Sequence, residues 1–448
     1  MKSIQKFVVV FLLLALVLSA CTTPKAVETQ SAVTEASMTE VAAVAPVDTT
    51  PVVVAVWVTD APAVKKAAEA YEQETGKKVI VEEIAREVYR EVETTALQSK
   101  TGQFDLLWMP SESVTGLVEG GFLEPLDSWM ANSALTQPDQ ADWNSPGAVE
   151  AYKFKGVLYG FPVATDTEFL FYRTDLIEKA PEDWDEYLAV AQAQTTETRK
   201  GATIFGKMPE SIAWDFINYF WSFGGVLLDE NFQPQINSPE GVAALQYFVD
   251  LYQKYKVVPE GSPTYEYGEV LAAFQQDKVA MAIQWNGAYS DFASAEKSPI
   301  TYDKFAATLL PGKRMEDGTI NRAIIGHVFG FVMDANSKNK EAAWDFLVYL
   351  TGKNGLKYFV TDGASQNVNS VTVLSDPAMV NDHPEFPIVN ETLRYVQFWP
   401  NSSVTPDLIL ALAQEVSSAL AGTKTPQQAM DDANTAAIKL MKDAGYIQ

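Results

Sequence analysis

Residues 52–58, VVVAVWV, form an unbroken apolar, β-branched run closed by Asp60 and Pro62. The next apolar positions, Val64, Ala67, Ala68 and Tyr71, fall at i, i+3, i+4 and i+7 before Gly76 interrupts them. The first spacing predicts a buried strand and the second an amphipathic helix. The rhythm repeats: KKVIVEEI (77–84) predicts a strand, EVYREVETTALQSK (87–100) a helix, FDLLWM (104–109) a strand and SESVTGLVEG (111–120) a short helix. Alternation of this kind predicts an α/β fold built from right-handed βαβ units around a mainly parallel sheet. In such sheets ligands bind beyond the carboxyl ends of the strands.

Trp57 and Trp108 stand at two of those ends, with Asp60, Ser111 and Glu112 in the loops that follow. Each has a plainer reading beside the functional one. Asp60 sits where a helix N-cap would stand ahead of Pro62, and large aromatics are commonly core. Farther along, KGVLYGFPVATDTEFLFYRTDL (155–176) is extended and punctuated by turns, and PEDWDEYLAVAQAQ (181–194) opens a helix. An aromatic-rich helix at 214–230 ends at Gly224 and Gly225, and a helix at 238–258 begins at Ser238 and Pro239. Residues 268–287 predict a helix and then the strand MAIQW, 327–352 a strand and then a helix capped by Ser337, and 406–446 two more amphipathic helices, the second opened by Pro426.

The N-terminus follows other rules. Lys2 and Lys6 precede a 12-residue apolar run, Phe7 to Leu18, shorter than the ~20 residues of a transmembrane helix and suited to a signal-peptide core. Leu18-Ser19-Ala20-Cys21 resembles the lipobox of bacterial lipoproteins, which implies removal of residues 1–20 and lipidation of Cys21. It is the one cysteine in 448 residues, so no internal disulfide can form. Residues 22–51 contain no aromatic and read as a flexible tether with a reach of ~30 Å. A globular body on such a leash works near a membrane, not in it.

Composition adds a core and a charge. Apolar residues make up 47% of the chain and aromatics 11%, enough for two or three domains after the tether. The net charge of −25 makes nucleic acid and anionic lipid poor partners. None of the serine-hydrolase, zinc-protease, P-loop or dinucleotide-binding motifs occurs. With His327 and His383 as the only histidines, a transition-metal site is not expected, nor is a cofactor.

Four stretches, in order, are similar to the extracellular solute-binding proteins of ABC importers, the group that includes the maltose-binding proteins. They are FDLLWMPSESVTGLVEGGFLEPLD; GVLYGFPVATDTEFLFYRTDL with PEDWDEYL; INSPEGVAALQYFVDLYQKYKVV with EVLAAFQQDKVAMAIQWNGAYS; and GFVMDANSKNKEAAWDFLVYLTG. The resemblance implies two α/β lobes, 52–163 with 308–351 and 164–307 with 352–448, joined by hinge segments around a ligand cleft. It further implies a monomeric, lipid-anchored, extracytoplasmic binding protein that delivers a sugar to membrane permease subunits and is not an enzyme. Closure around the ligand would let those subunits tell loaded from empty.

By residue, Trp108 matches a position that packs on sugar in the family. Ser111 and Glu112 match polar sugar contacts but differ in residue type. Asp166 matches a hinge carboxylate that bonds the ligand. Glu210 matches an acidic contact within one residue and Trp285 a stacking tryptophan within two, while Trp57 and Asp60 fall where the first strand meets the cleft. His327 enters a strand on the cleft side, as a ligand contact or a satisfied core histidine. The chemistry points the same way. Flat rings suit the C–H faces of a pyranose, and carboxylates and amides suit its hydroxyl rim. Trp285 beside Asn286, and Trp399 beside Pro400 and Asn401, offer that pairing; Trp214 reads as packing. Two alternatives stay open, a polyamine or other solute in the same fold and an exported glycoside hydrolase, whose two carboxyl groups ~5 to 9 Å apart cannot be located from sequence.

Overall fold

The computed structural model describes residues 50–448, apart from 210, 364 and 365 and the side chains of 86 and 87. The leader, Cys21, nearly all of the tether and Glu210 lie outside the described residues.

The opening rhythm forms the expected elements to within about two residues: β1 (Val52–Trp57), α1 (Ala61–Thr75), β2 (Val79–Ile84), α2 (Arg86–Ser99) and β3 (Leu106–Pro110). Helix α1 has Pro62 in its first turn and ends at Gly76, whose φ of 74° is the left-handed cap that glycine accepts most readily. Strand β1 pairs in parallel with β2 on one side and β3 on the other. The sheet is mixed, however, because two long strands from distant parts of the chain complete it. Strand Ile324–Met333 lies antiparallel to β3, and the 14-residue strand Gly160–Arg173 lies antiparallel to Ile324–Met333. Local periodicity does not carry pairing between segments so far apart, so this direction was not in the pattern.

The long strand belongs to two sheets in turn. Its residues from Gly160 to Thr167 pair with Val332 to Gly326, whereas Glu168 to Tyr172 pair with Trp285 to Met281 and Leu170 to Arg173 with Thr308 to Phe305. Pro162, which cannot donate to the ladder, sits opposite Gly330, where the register shifts by a bulge. The crossing from one set of partners to the other falls at Thr167 and Glu168.

Two buried clusters pack around it, one of them with residues from both sides of the crossing, Val163 and Phe171 among them. One gathers β1, β3, Trp108, Phe161 and Trp344; the other gathers Trp184, Phe216, Phe248 and the C-terminal helices Thr405–Leu420 and Pro426–Asp443. The buried clusters do not divide at the expected boundaries of 308 and 352. Leu310, Ala323, Ile324 and Ile325 pack in the second core, while Val328, Phe329, Phe331, Val332 and Met333 pack in the first. Leu356, Phe359, Phe386 and Val389 pack in the first, and the chain moves to the second core between Val396 and Trp399. Amphipathic spacing says that a face is buried, not which core buries it. The predicted cap of helix Lys340–Leu350 is also displaced. Asn339 holds the cap position, while Ser337 donates to Asp105 Oδ1 at 2.5 Å and accepts from the Asn339 N–H at 3.1 Å.

Candidate binding site at the strand crossing

Two adjoining cavities open at the crossing, of about 420 Å³ and 220 Å³. Both are lined by Tyr267, Trp285 and His327. Backbone register explains the meeting. His327 pairs with Asp166 and Trp285 with Glu168 across antiparallel ladders, and directly opposed residues project from the same face of a sheet. Asp166 and Glu168 are two apart on one strand and share that face as well.

The larger cavity is polar. Asp166 accepts from Asn367 Nδ2 at 3.3 Å, and Glu385, Gln366, Tyr289 and Ser290 join it on the walls. Asn286 is buried, its Oδ1 accepting the Thr167 N–H at 3.3 Å, and its Nδ2 has no partner among the described residues. Burial, and then the charges of Asp291 and Asp166, push the Tyr267 phenol up to about 12, so it stays a neutral donor at neutral pH.

The smaller cavity is aromatic on one side. Trp214, half-buried, has its ring centroid 5.8 Å from Trp285, 5.4 Å from His327 and 5.6 Å from Trp399. Trp214, read from sequence as packing, thus lines a cavity with Trp285. Trp399 is 8% exposed and backs Trp214 and Trp221 without lining either cavity. Helix Ser211–Ser222 carries Trp214 and ties the crossing together, since Asn218 Nδ2 donates to Glu168 Oε2 at 2.6 Å and its Oδ1 accepts the Ile325 N–H at 2.7 Å.

His327 Nε2 lies 2.8 Å from Glu112 Oε1. Burial alone would raise the Glu112 carboxyl, but the charge of His327 and its hydrogen bond outweigh it and hold the group below the ordinary carboxylate range. Glu112 thus touches His327, which lines both cavities, and lines neither itself.

The remaining candidates sit elsewhere. Trp108 is completely buried, near-parallel to Phe329 and Phe359 at centroid distances of 5.8 and 5.7 Å and edge-on to Phe331 at 5.1 Å. It is core in this structure, because a strand flanked on both sides turns even its last residues into a packed layer. Asp60 is buried at the N-cap position of α1, as its plainer reading allows, although its side chain makes no cap bond to the helix backbone. Ser111 is buried, and Trp57 packs on Phe329 at 5.0 Å. None of these four lines the two cavities.

Sequence reasoning missed Tyr267, Trp214, Glu168, Glu385 and the amides Gln366 and Asn367. Only the alternation TDTE, with acids two apart on a strand, carried a signal for Glu168.

The family model for bacterial extracellular solute-binding protein matches residues 56–356. The chain belongs to that family. The mannitol-binding protein of Pseudomonas aeruginosa is 26% identical over 402 residues, spanning 83% of this chain and 87% of that relative. Among solved structures, maltose-bound MalE3 of T. maritima is similar at a TM-score of 0.68 and 25% identity, covering 87% of this chain and 99% of its own. A solute-binding protein of Agrobacterium radiobacter K84 in complex with ribitol reaches a TM-score of 0.68 at 26% identity, covering 88% and 100%.

Proposed function

We propose that the protein is the substrate-binding component of an ABC importer for a sugar or sugar alcohol, lipid-anchored through Cys21, monomeric, and without catalytic activity. The observation that carries the reading is the pairing, in one place, of Trp214 and Trp285 with Asp166, Asn286, Asn367 and Glu385. Rings beside carboxylates and amides are what a polyol with apolar C–H faces requires. Relatives that bind mannitol, maltose and ribitol support the same solute class. Delivery to permease subunits follows from the family's role in import, with closure around the solute as the signal that distinguishes the loaded form.

A second reading has one observation in its favour. Asp166 and Glu385 line the larger cavity, while no Lys or Arg does among the described residues, so a cationic solute such as a polyamine has chemistry to meet. The test is thermal unfolding of residues 49–448 with maltose, maltotriose, mannitol, ribitol, putrescine and spermidine. A ligand at 100 times its Kd stabilises by about 2.7 kcal/mol, which moves the midpoint by a few degrees. A shift with a sugar or polyol alone supports the first reading. A shift with the amines alone replaces it with the second.

A further inference from the structure

Beneath the tryptophan side of the smaller cavity lies a buried acidic pair that the family reading leaves unexplained. Glu168 and Asp215 are both completely buried. Glu168 Oε2 accepts from Asn218 Nδ2, and Asp215 Oδ2 accepts the Phe205 N–H at 2.8 Å. Glu168 Oε1 and Asp215 Oδ1 have no hydrogen-bond partner among the described residues. An unpaired buried polar atom costs about 1 to 3 kcal/mol, so an orphaned oxygen on a residue beside a cavity calls for a function.

Of the two residues, only Glu168 lines the cavity, together with Phe205, Ser211, Trp214 and Trp285. Its register opposite Trp285 sets both side chains on the same face of the sheet. We propose that Glu168 is a ligand-contacting residue, whose Oε1 hydrogen-bonds a hydroxyl of the solute held against Trp214 and Trp285. The inference rests on the sugar or polyol reading above and adds to it a selector for a hydroxyl at that end of the site. Burial, and then the neighbouring Asp215, push the Glu168 carboxyl well above the ordinary range. A neutral carboxylic acid both donates and accepts, which matches a hydroxyl. It also gives an ammonium group less attraction than a carboxylate would.

The experiment compares wild type, E168Q and E168L by calorimetric titration with maltose, maltotriose, mannitol and ribitol, with the unfolding midpoint measured for each variant. Leucine fills a similar volume without a polar atom to satisfy, and Asn218 Nδ2 keeps the Trp214 and Asp215 carbonyls as acceptors, so no donor is left unpaired. Glutamine keeps both a donor and an acceptor at the same reach. The expected result is an affinity roughly 10- to 100-fold weaker in E168L, the equivalent of a lost hydrogen bond with one group left unpaired. E168Q should recover to within about threefold of wild type, and both midpoints should stay close to it. Unchanged affinity in E168L, or equal losses in E168Q and E168L, overturns the contact while the sugar or polyol reading stands. Failure of the wild type itself to bind any of the four overturns that reading and the contact together.

Discussion

Trp108 and Trp285 both end strands in the sequence, yet the structure gives them different work, and alanine substitution separates the two. Trp108 is completely buried among Trp57, Phe329, Phe331 and Phe359, with centroid distances from 5.1 to 6.3 Å. Removing an indole from such a layer costs about 3 to 5 kcal/mol, because both the transfer energy and the contacts around the cavity are lost. In a two-core protein of this size that lowers the unfolding midpoint by several degrees. Trp285 is half-buried, with one neighbouring ring at 5.8 Å and both cavities beside it. Its loss should cost less stability but remove a stacking face for solute, weakening binding by roughly 1 to 3 kcal/mol, or 5- to 150-fold in Kd. Differential scanning calorimetry and titration of the solute identified by thermal shift give both numbers for both variants. W108A is expected to be destabilised with near-normal affinity, and W285A close to normal in stability with weakened affinity. A W108A protein that folds normally but binds poorly would refute the argument from burial, as would a W285A protein that unfolds early and binds normally.

Three further outcomes follow from charge and from the N-terminus. Burial pushes the Asp215 carboxyl up to about 8. Its contribution to stability is therefore fully present below the unfolded value near 4 and fades as pH rises towards 8. In D215N, urea midpoints should fall less than in wild type between pH 5 and 9, and parallel curves would show that the carboxyl does not titrate with folding. Glu112 is held below its ordinary range in the fold. Its contribution is present above the unfolded value near 4.5 and disappears as pH falls through the lowered one. E112Q should thus lose less stability than wild type on acidification below that value, and an identical acid limb in circular dichroism would count against the His327 contact. In cells, C21S should release the protein from the membrane fraction, as seen by fractionation and immunoblot; retention would mean that something other than lipid on Cys21 holds it.

The sequence by itself determined the strand–helix order through β3, the stop at Gly76 and the pairing of Trp285 with Asn286. These are local matters: period 2 or 3.6, β-branching and a capping residue act within a few positions of one another. Family resemblance supplied the two-lobed expectation, and with it Asp166 and His327 among the residues that line the cavities. What only the tertiary structure decided was which elements share a core and which aromatics are covered. Phe359 lies about 250 positions from Trp108 in sequence yet stacks on it, so the apolar pattern around LLWM reads the same whether that ring meets solvent or another helix. Helix 353–362 buries Leu356, Phe359 and Val360 in the cluster around Trp108, a choice its spacing leaves open, since an amphipathic stripe records the need for burial and not its partner. Tyr267, Trp214 and Glu385 come to one cavity from three separate segments, and no spacing in the chain encodes that meeting. The register of Glu168 against Trp285 and of Asp166 against His327 fixes which face carries the site, and register is set when strands pair in three dimensions.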